Sequence, residues 1–185
     1  MKLKKLSADI ITMSHEGPDL NTTQVGGDDR SPVIVDWPGE YEYRRISIIG
    51  IQTWQNKKDE EGSTNTNTAF TYLIDDLHIC HLGYLGHALT TEQLDEIGDV
   101  DILLLPVGGI GSFDSNKAKE VMEKIEPRIV LPMYYAMPGS SLKFPTRESF
   151  VKLLDKDAEK METLKISKRE LPSDDDTKLI LLDVK

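Results

Sequence analysis

The segment from Asp101 to Val107 constrains the fold of this chain more than any other. After its first residue it is almost continuously apolar. A strand with one face in water alternates apolar and polar residues, whereas an unbroken apolar run of this length indicates a strand that is buried on both faces. The chain is therefore expected to place further layers of structure on each side of this strand.

Strand signals fill the first half of the chain, and helix signals begin only in the second half. Strands are predicted at 9–13, 33–35, 46–54, 69–74, 77–81, 101–107, 128–133, 163–166 and 178–184, with turns at Pro38-Gly39 and Asp75-Asp76. Helices are predicted from Thr90 or Thr91 to Ile97, over 116–126 behind Asp114 or Ser115, and after Thr146. This order predicts an α/β fold with sheets inside and helices outside.

The composition excludes several classes of partner. The 22 Lys and Arg against 32 Asp and Glu give a formal charge of −10, which repels phosphate backbones and anionic lipids, so neither nucleic acid nor a membrane is expected. No run approaches the length of a membrane span, and residues 1–6 do not lead into a signal-peptide core. The single cysteine, Cys80, excludes an intrachain disulfide and favours a reducing, cytoplasmic location.

The four histidines lie in two short stretches. His15 follows the first predicted strand, and His78, His81 and His87 surround the strand that ends at residue 81. A histidine at a strand end, followed by glycine, can present its imidazole to a metal at the rim of a sheet. Ordinary surface or hydrogen-bonded histidines are the alternative interpretation. Cys80 is interpreted as a small core residue.

Two loops have both a functional and a purely structural interpretation. His15 and Asp19 are four residues apart in a loop that leaves a strand, so they could face one ion, or they could belong to a polar turn.

The segment 108–111 follows a buried strand and is rich in glycine. It lacks the third glycine of a dinucleotide motif and the Lys-Ser/Thr pair of a Walker loop, so a flexible turn is favoured over nucleotide binding.

Several segments together resemble small bacterial and archaeal proteins of the metallo-β-lactamase fold, a group of Zn-dependent hydrolases. The segments that carry this resemblance are 8–21, 38–42, 78–87, 98–109 and 129–135, in that order along the chain. The resemblance implies an αββα sandwich. With 185 residues, the chain is expected to form a single metallo-β-lactamase-like domain over 1–185.

The resemblance also implies a metal site, of which three ligand positions are retained. The family's first metal motif reads His-x-His-x-Asp-His, and His15 and Asp19 match its first histidine and its aspartate. His81 matches the histidine of the family's His-x-Gly-Asp segment. The resemblance implies that the first metal site keeps His15 and His81 but lacks its third imidazole, whereas a catalytic zinc normally has three protein ligands and an open position. We therefore expect these two histidines, with the nearby Asp19, to hold a single zinc ion weakly or not at all.

The other ligand positions of the family are lost. The remaining two histidines of the first motif are replaced by Gly17 and Leu20. Tyr84 stands where the family has a bridging aspartate, and Tyr134 stands where it has its final histidine. A two-metal centre that activates a bridging water is therefore not expected.

Two functions follow from this partial motif. In the favoured one, the chain keeps the fold for a non-catalytic role in binding or assembly. In the alternative, a metal-dependent hydrolase has a reduced site, with zinc on His15 and His81. There Asp19 would orient or deprotonate the attacking water, and Tyr134 or Tyr84 would donate a hydrogen bond to the developing oxyanion. The small-molecule substrate stays unidentified.

The beginning of the chain differs from the family it resembles. In that family further strands precede the first metal motif, whereas this chain reaches the motif at His15. The resemblance therefore implies an N-terminally shortened sandwich with an exposed sheet edge. A second copy of the chain, in a symmetric dimer, is expected to cover such an edge.

Overall fold

The computed structural model describes residues 7–15, 31–55, 66–108, 114–136, 144–173 and 176–183. The strands in these ranges are β1 (Ile10–Thr12), β2 (Val33–Val35), β3 (Gly39–Tyr43), β4 (Ile46–Trp54), β5 (Thr66–Ile74), β6 (Leu77–His81), β7 (Ile102–Pro106), β8 (Ile129–Met133), β9 (Ala158–Met161) and β10 (Lys178–Leu182). The helices are α1 (Thr91–Ile97), α2 (Ser115–Ile125), α3 (Arg147–Leu154) and a 3₁₀ helix at Lys168–Glu170. None of these helices has the length and hydropathy needed to cross a bilayer.

Eight of the strands form one mixed sheet in the order β3-β4-β5-β6-β7-β8-β10-β9. Neighbours from β3 to β6 are antiparallel, whereas β6, β7, β8, β10 and β9 run parallel to one another. β1 and β2 form a separate parallel pair. The parallel part brings the carboxyl ends of β6, β7 and β8 to one edge, where open α/β sheets place their binding residues.

β7 lies within the sheet and is buried on both faces, as its sequence predicts. Leu103 and Leu105 belong to a core cluster to which the three helices contribute Ile97, Val121 and Phe150. Ile102 points the other way, because side chains alternate along a strand, and packs in a second cluster with Ile129 and Ile180. The predicted layered α/β arrangement is confirmed.

Local side-chain hydrogen bonds define where the helices begin, and the predicted helix starts are confirmed. Thr90 accepts a hydrogen bond from the Gln93 backbone N–H, while the Gln93 side chain accepts one from the Thr90 N–H, which completes a capping box. The side chains of Asp114 and Thr146 likewise accept backbone N–H groups in the first turns of α2 and α3. Each cap satisfies N–H groups that have no partner inside the helix.

One predicted strand is wrong. Residues 163–166 are not part of the sheet, and the strand beside β10 is instead β9, which pairs with it in parallel from Ala158 to Met161. Leu164 and Ile166 are half-buried and pack against the second core cluster. These two residues alternate with exposed ones because their side chains face the core. The same alternation is typical of a strand, but this segment makes no ladder hydrogen bonds.

A second difference concerns β3. The sequence predicts only a turn at Pro38-Gly39, whereas Gly39 begins a five-residue strand that pairs with β4. Tyr41 packs against the cluster of Val35, Ile48 and Phe70, and the flanking Glu40 and Glu42 are exposed. Charged side chains of this kind protect an outer strand from pairing with other chains.

An ion cluster around the buried Asp101 lies at the amino end of β7. The Asp101 side chain is 5% exposed, and its carboxylate lies 2.7 Å from Lys168 Nζ and 3.7 Å from Arg128 Nε. It also accepts the His78 backbone N–H at 2.8 Å. Burial by itself would raise the pKa of Asp101, but these hydrogen bonds and positive charges together hold it below its usual range. The cluster joins the 3₁₀ helix to the sheet.

Replacing Asp101 by asparagine is expected to reduce the free energy of unfolding by about 2 kcal/mol, because it removes the charge-assisted hydrogen bonds of a buried group. Urea denaturation measures the change. Glu159→Gln is the matched control, since the Lys178–Glu159 pair, at 3.3 Å, is exposed and is expected to contribute less than about 0.5 kcal/mol. Equal losses in the two variants would show that burial of Asp101 does not determine the contribution of its ion cluster.

Candidate functional site

The candidate site residues lie beyond the carboxyl ends of β1, β6 and β8. His81 is the last residue of β6, and Tyr84 follows it in the next loop. Tyr134 comes directly after β8, and His15 lies three residues beyond β1. Asp19, the remaining predicted site residue, lies outside the described residues. The structure therefore places four of the positions that the sequence singles out at or just after the carboxyl ends of these three strands.

Asn67 holds the loop after β6 in place. Its side chain is fully buried, and its amide oxygen accepts the Tyr84 backbone N–H at 2.7 Å. Its amide nitrogen donates to the Leu82 carbonyl at 3.0 Å and to Thr53 Oγ1 at 2.6 Å. The next residue, Thr68, donates its backbone N–H to the Ser14 carbonyl at 2.6 Å. β5 thus positions both the loop after β6 and the segment after β1.

Gly83 is required where these two segments meet. Its φ of +60° is a left-handed conformation that residues with a Cβ adopt at a cost. A Cβ at this position would lie 2.5 Å from Asn67 Oδ1 and 2.5 Å from Ser14 Cβ. The approach of Ser14, next to His15, to the loop that carries Tyr84 therefore depends on the missing side chain of Gly83.

Aromatic rings fill the space between the strand ends. The His15 ring lies 5.2 Å from the Tyr84 ring, measured between centroids, and Tyr84 meets Tyr134 edge to face at 4.6 Å. The hydroxyls of Tyr84 and Tyr134 hydrogen-bond each other. Phe144 lies 5.2 Å from Tyr134 on its other side. We call His15, Tyr84, Tyr134 and Phe144 the aromatic cluster.

Tyr134 takes part in this cluster with a strained backbone. Its φ of +58° lies in the left-handed region, which bulky side chains rarely adopt. Such conformations persist where the surroundings impose them, and they are concentrated at functional sites. Its side chain is 38% exposed, so the cluster is open to solvent at this residue.

His81 is held in its neutral form. Burial lowers the pKa of the imidazole, so the charged form is disfavoured. Its Nδ1 accepts the Gly83 backbone N–H at 3.1 Å, and a neutral ring that accepts at Nδ1 carries its proton on Nε2. Binding of a metal ion at Nε2 would require the proton to be on Nδ1, which would end the hydrogen bond from Gly83.

His87, the last of the histidines near β6, has a structural role. Its Nε2 accepts the Trp54 backbone N–H at 3.1 Å, and its Nδ1 lies 2.8 Å from the Ala88 carbonyl, to which it donates. Burial lowers the pKa of this imidazole as well. The ring therefore serves as a neutral bridge between the end of β4 and the segment that leads to α1.

The glycine-rich segment after β7 gains no support as a phosphate-binding loop. Residues 109–113 lie outside the described residues, but the beginning of α2 is described. There the Asp114 carboxylate accepts the N–H groups of Asn116 and Lys117 at 3.0 and 2.9 Å. A phosphate at a helix start uses such N–H groups, and here a negative charge already occupies them.

Comparison with known proteins assigns the chain to a family. A family model described as the beta-lactamase superfamily domain matches residues 1–134. The chain belongs to this family. The resemblance to metallo-β-lactamase-fold proteins is therefore confirmed.

Solved structures agree with this assignment to the beta-lactamase superfamily. A structure described as a Zn-dependent hydrolase of the metallo-beta-lactamase superfamily, from Thermotoga maritima, has a TM-score of 0.78 and 29% identity, covering 97% of this chain and 84% of that one. Igni18, a metallo hydrolase from Ignicoccus hospitalis, has a TM-score of 0.56 at 17% identity over 80% and 71% of the two chains, which shows the fold alone. The predicted layered metallo-β-lactamase fold is confirmed.

Several curated relatives are named metal-dependent hydrolases. One from Thermococcus onnurineus is 29% identical over 98 residues, which is 52% of this chain and 44% of that protein. One from Pyrococcus horikoshii matches to the same extent. The matched segment thus spans less than half the length of these relatives.

The residues present do not fit the two-metal centre that the superfamily's metal motifs imply. Gly17 and Leu20 have no donor atoms in their side chains. The phenols of Tyr84 and Tyr134, which the resemblance assigns to two further ligand positions, bond each other. Within the described residues, no group of three His, Cys, Asp or Glu side chains is placed to hold a metal ion. The three-ligand set of His15, Asp19 and His81 stays a prediction.

Sequence reasoning missed Asn67 and Phe144. Asn67 is a polar residue in a strand, and its role depends on contacts with Thr53, Leu82 and Tyr84, which lie 14 to 17 residues away. No signal in the sequence indicated it, because Asn67 lies outside the strand predicted at 69–74, whereas β5 begins at Thr66. Phe144 gave no signal, since only the tertiary structure places its ring on Tyr134.

Replacing Gly83 by alanine is expected to destabilise the protein by about 2 kcal/mol or more, since both the left-handed backbone and the steric overlap oppose the new methyl group. Thermal or urea unfolding measures the change. A loss of no more than about 1 kcal/mol, the usual cost of a left-handed residue with a Cβ, would contradict the close packing at Gly83.

The stability of the protein is expected to fall as the pH drops below 6.5, the usual pKa of histidine, because the unfolded chain then takes up a proton that the folded, neutral His87 does not. His87→Gln is expected to reduce this dependence of stability on pH. Urea unfolding at pH 7.5 and at pH 5 measures it, because both values lie about one unit or more from the usual pKa of histidine. The dependence does not vanish, because burial lowers the pKa of His81 too. An unchanged dependence in His87→Gln would contradict the assigned role.

Proposed function

We propose that this chain uses the metallo-β-lactamase fold for binding or assembly and does not hydrolyse substrates through a two-metal centre. The observation that carries this proposal is the mutual hydrogen bond of Tyr84 and Tyr134 at two positions where the superfamily's motifs have metal ligands. The aromatic cluster is the surface that we propose for binding.

The chemistry of the retained residues supports a binding role. Zinc in proteins is held by thiolate, imidazole and carboxylate ligands, and a catalytic zinc needs three of them as well as a water. Two phenols that bond each other supply none of these ligands. They do supply ring faces and hydroxyl groups next to the imidazole of His15, which suit the recognition of a largely uncharged, planar group.

A single-zinc hydrolase is the second candidate, and one observation favours it. His81 is held neutral, and a histidine must be neutral to bind a metal. In this candidate His15 and His81 bind the ion, Asp19 acts on the water, and Tyr134 donates to the oxyanion. It requires His81 to give up the hydrogen bond that it accepts from Gly83. The curated relatives, named metal-dependent hydrolases, also support this candidate.

Metal analysis distinguishes the two candidates. The protein, purified without chelator and dialysed against zinc at low micromolar concentration, is expected to retain far less than one zinc ion per chain, and His81→Ala is expected to retain the same background amount. Esters, phosphodiesters and lactams are expected to be hydrolysed no faster with the protein than without it. His78→Ala is the matched control variant, because His78 is exposed on the same strand.

Two results would overturn the binding proposal. Stoichiometric zinc that is lost in His81→Ala but kept in His78→Ala would establish the single-zinc site. Hydrolysis that a chelator abolishes and zinc restores would establish the hydrolase.

The predicted dimer and the cytoplasmic location stay predictions. Three exposed apolar side chains support an apolar contact surface around β2: Val33 is 44% exposed, Ile34 47% and Trp37 73%. Exposed apolar side chains are typical of surfaces that meet another protein when they form one patch.

A further inference from the structure

Two loops that are distant in the sequence meet at one pair of side chains. Tyr84, in the loop after β6, and Tyr134, in the segment after β8, are 50 residues apart, and their hydroxyls bond each other. The edge-to-face contact of the rings, with centroids 4.6 Å apart, adds a second interaction between the same two residues. We call these two residues the tyrosine pair.

Each member of the tyrosine pair is attached to its own part of the protein. The backbone of Tyr84 is fixed by the buried Asn67 side chain, which accepts its N–H at 2.7 Å. On the other side, the Tyr134 ring packs on Phe144, and two residues later Ala136 donates its N–H to the Pro145 carbonyl at 2.9 Å. The tyrosine pair therefore connects two separately supported segments.

The backbone at Tyr134 shows that the second segment is held in an unfavourable conformation. A tyrosine with a φ of +58° does not adopt this conformation for local reasons. The surroundings must impose it, and the contacts of the Tyr134 side chain with Tyr84 and Phe144 are suited to do so.

We infer that the tyrosine pair holds the loops after β6 and β8 together without a metal ion. This inference rests on the proposed function, in which no two-metal centre links the two loops. The pair keeps the aromatic cluster assembled, and loss of either hydroxyl loosens the loop on the opposite side of the pair.

Amide hydrogen exchange of the full-length chain tests this inference. In Tyr84→Phe the amide of Ala136, on the opposite segment, is expected to exchange about five-fold faster, as the loss of one net hydrogen bond predicts. In Tyr134→Phe the amide of Tyr84 is expected to accelerate to a similar extent. The double variant is expected to show no more than either single change, because both remove the same interaction.

A matched control separates this link from the general effect of losing a phenol. Tyr41→Phe removes a hydroxyl that donates to the Trp37 carbonyl at 2.9 Å, on the outer strand β3. It is expected to leave exchange at Ala136 and Tyr84 unchanged, and its effects are expected to add to those of Tyr84→Phe.

A chelator arm distinguishes failure of this inference from failure of the proposed function. The unmodified protein is measured with and without EDTA, and no change is expected at Ala136 or Tyr84. Unchanged amides in both phenylalanine variants would overturn the link and leave the proposed function standing. Faster exchange on adding EDTA would mean that a metal ion holds the loops, and it would overturn both.

Discussion

The buried side chain of Asn67 is the interaction on which the geometry of the candidate site depends. A primary amide without contact with water must satisfy its donors and its acceptor inside the protein, or its burial costs more than the hydrogen bonds return. Asn67 does so with Thr53 on β4 and with Leu82 and Tyr84 in the loop after β6. Because the partners lie on separate elements, the amide fixes the direction in which that loop leaves the sheet.

Buried polar groups at the two ends of the parallel strands are stabilised in different ways. At the amino end Asp101 stays charged and is compensated by Lys168, Arg128 and a backbone N–H. At the carboxyl end the buried Asn67 amide is satisfied by hydrogen bonds, and burial favours the neutral form of His81. Buried charge is thus compensated by cations at one end of the strands, whereas Asn67 and His81 are accommodated as neutral, hydrogen-bonded groups at the other.

The sequence predicts those features that depend on neighbouring residues. The capping residues of the three helices and the turn at Asp75 and Asp76, whose φ values are +50° and +64°, follow from local hydrogen bonding and backbone preferences. β9 cannot be predicted in this way because its place beside β10 depends on the tertiary structure. Residues 163–166 have the alternating pattern of a strand because Leu164 and Ile166 face the core. For the site, the positions at strand ends are predictable, but the Tyr84–Tyr134 contact is not, since it joins residues 50 positions apart.

If the chain lacks the superfamily's metal ligands, as the proposed function has it, other interactions must hold the loops that those ligands would connect. Loops that leave the ends of parallel strands have no ladder hydrogen bonds, so their relative positions depend on side chains. Replacing ligands by alanine would remove such links, whereas two tyrosines provide a hydrogen bond, an aromatic contact and enough volume to fill the space. The strained backbone of Tyr134 shows that the segment after β8 is held in a defined conformation. An ordered aromatic surface at this edge of the sheet is what the proposed binding role requires, and the Tyr84–Tyr134 contact contributes to it.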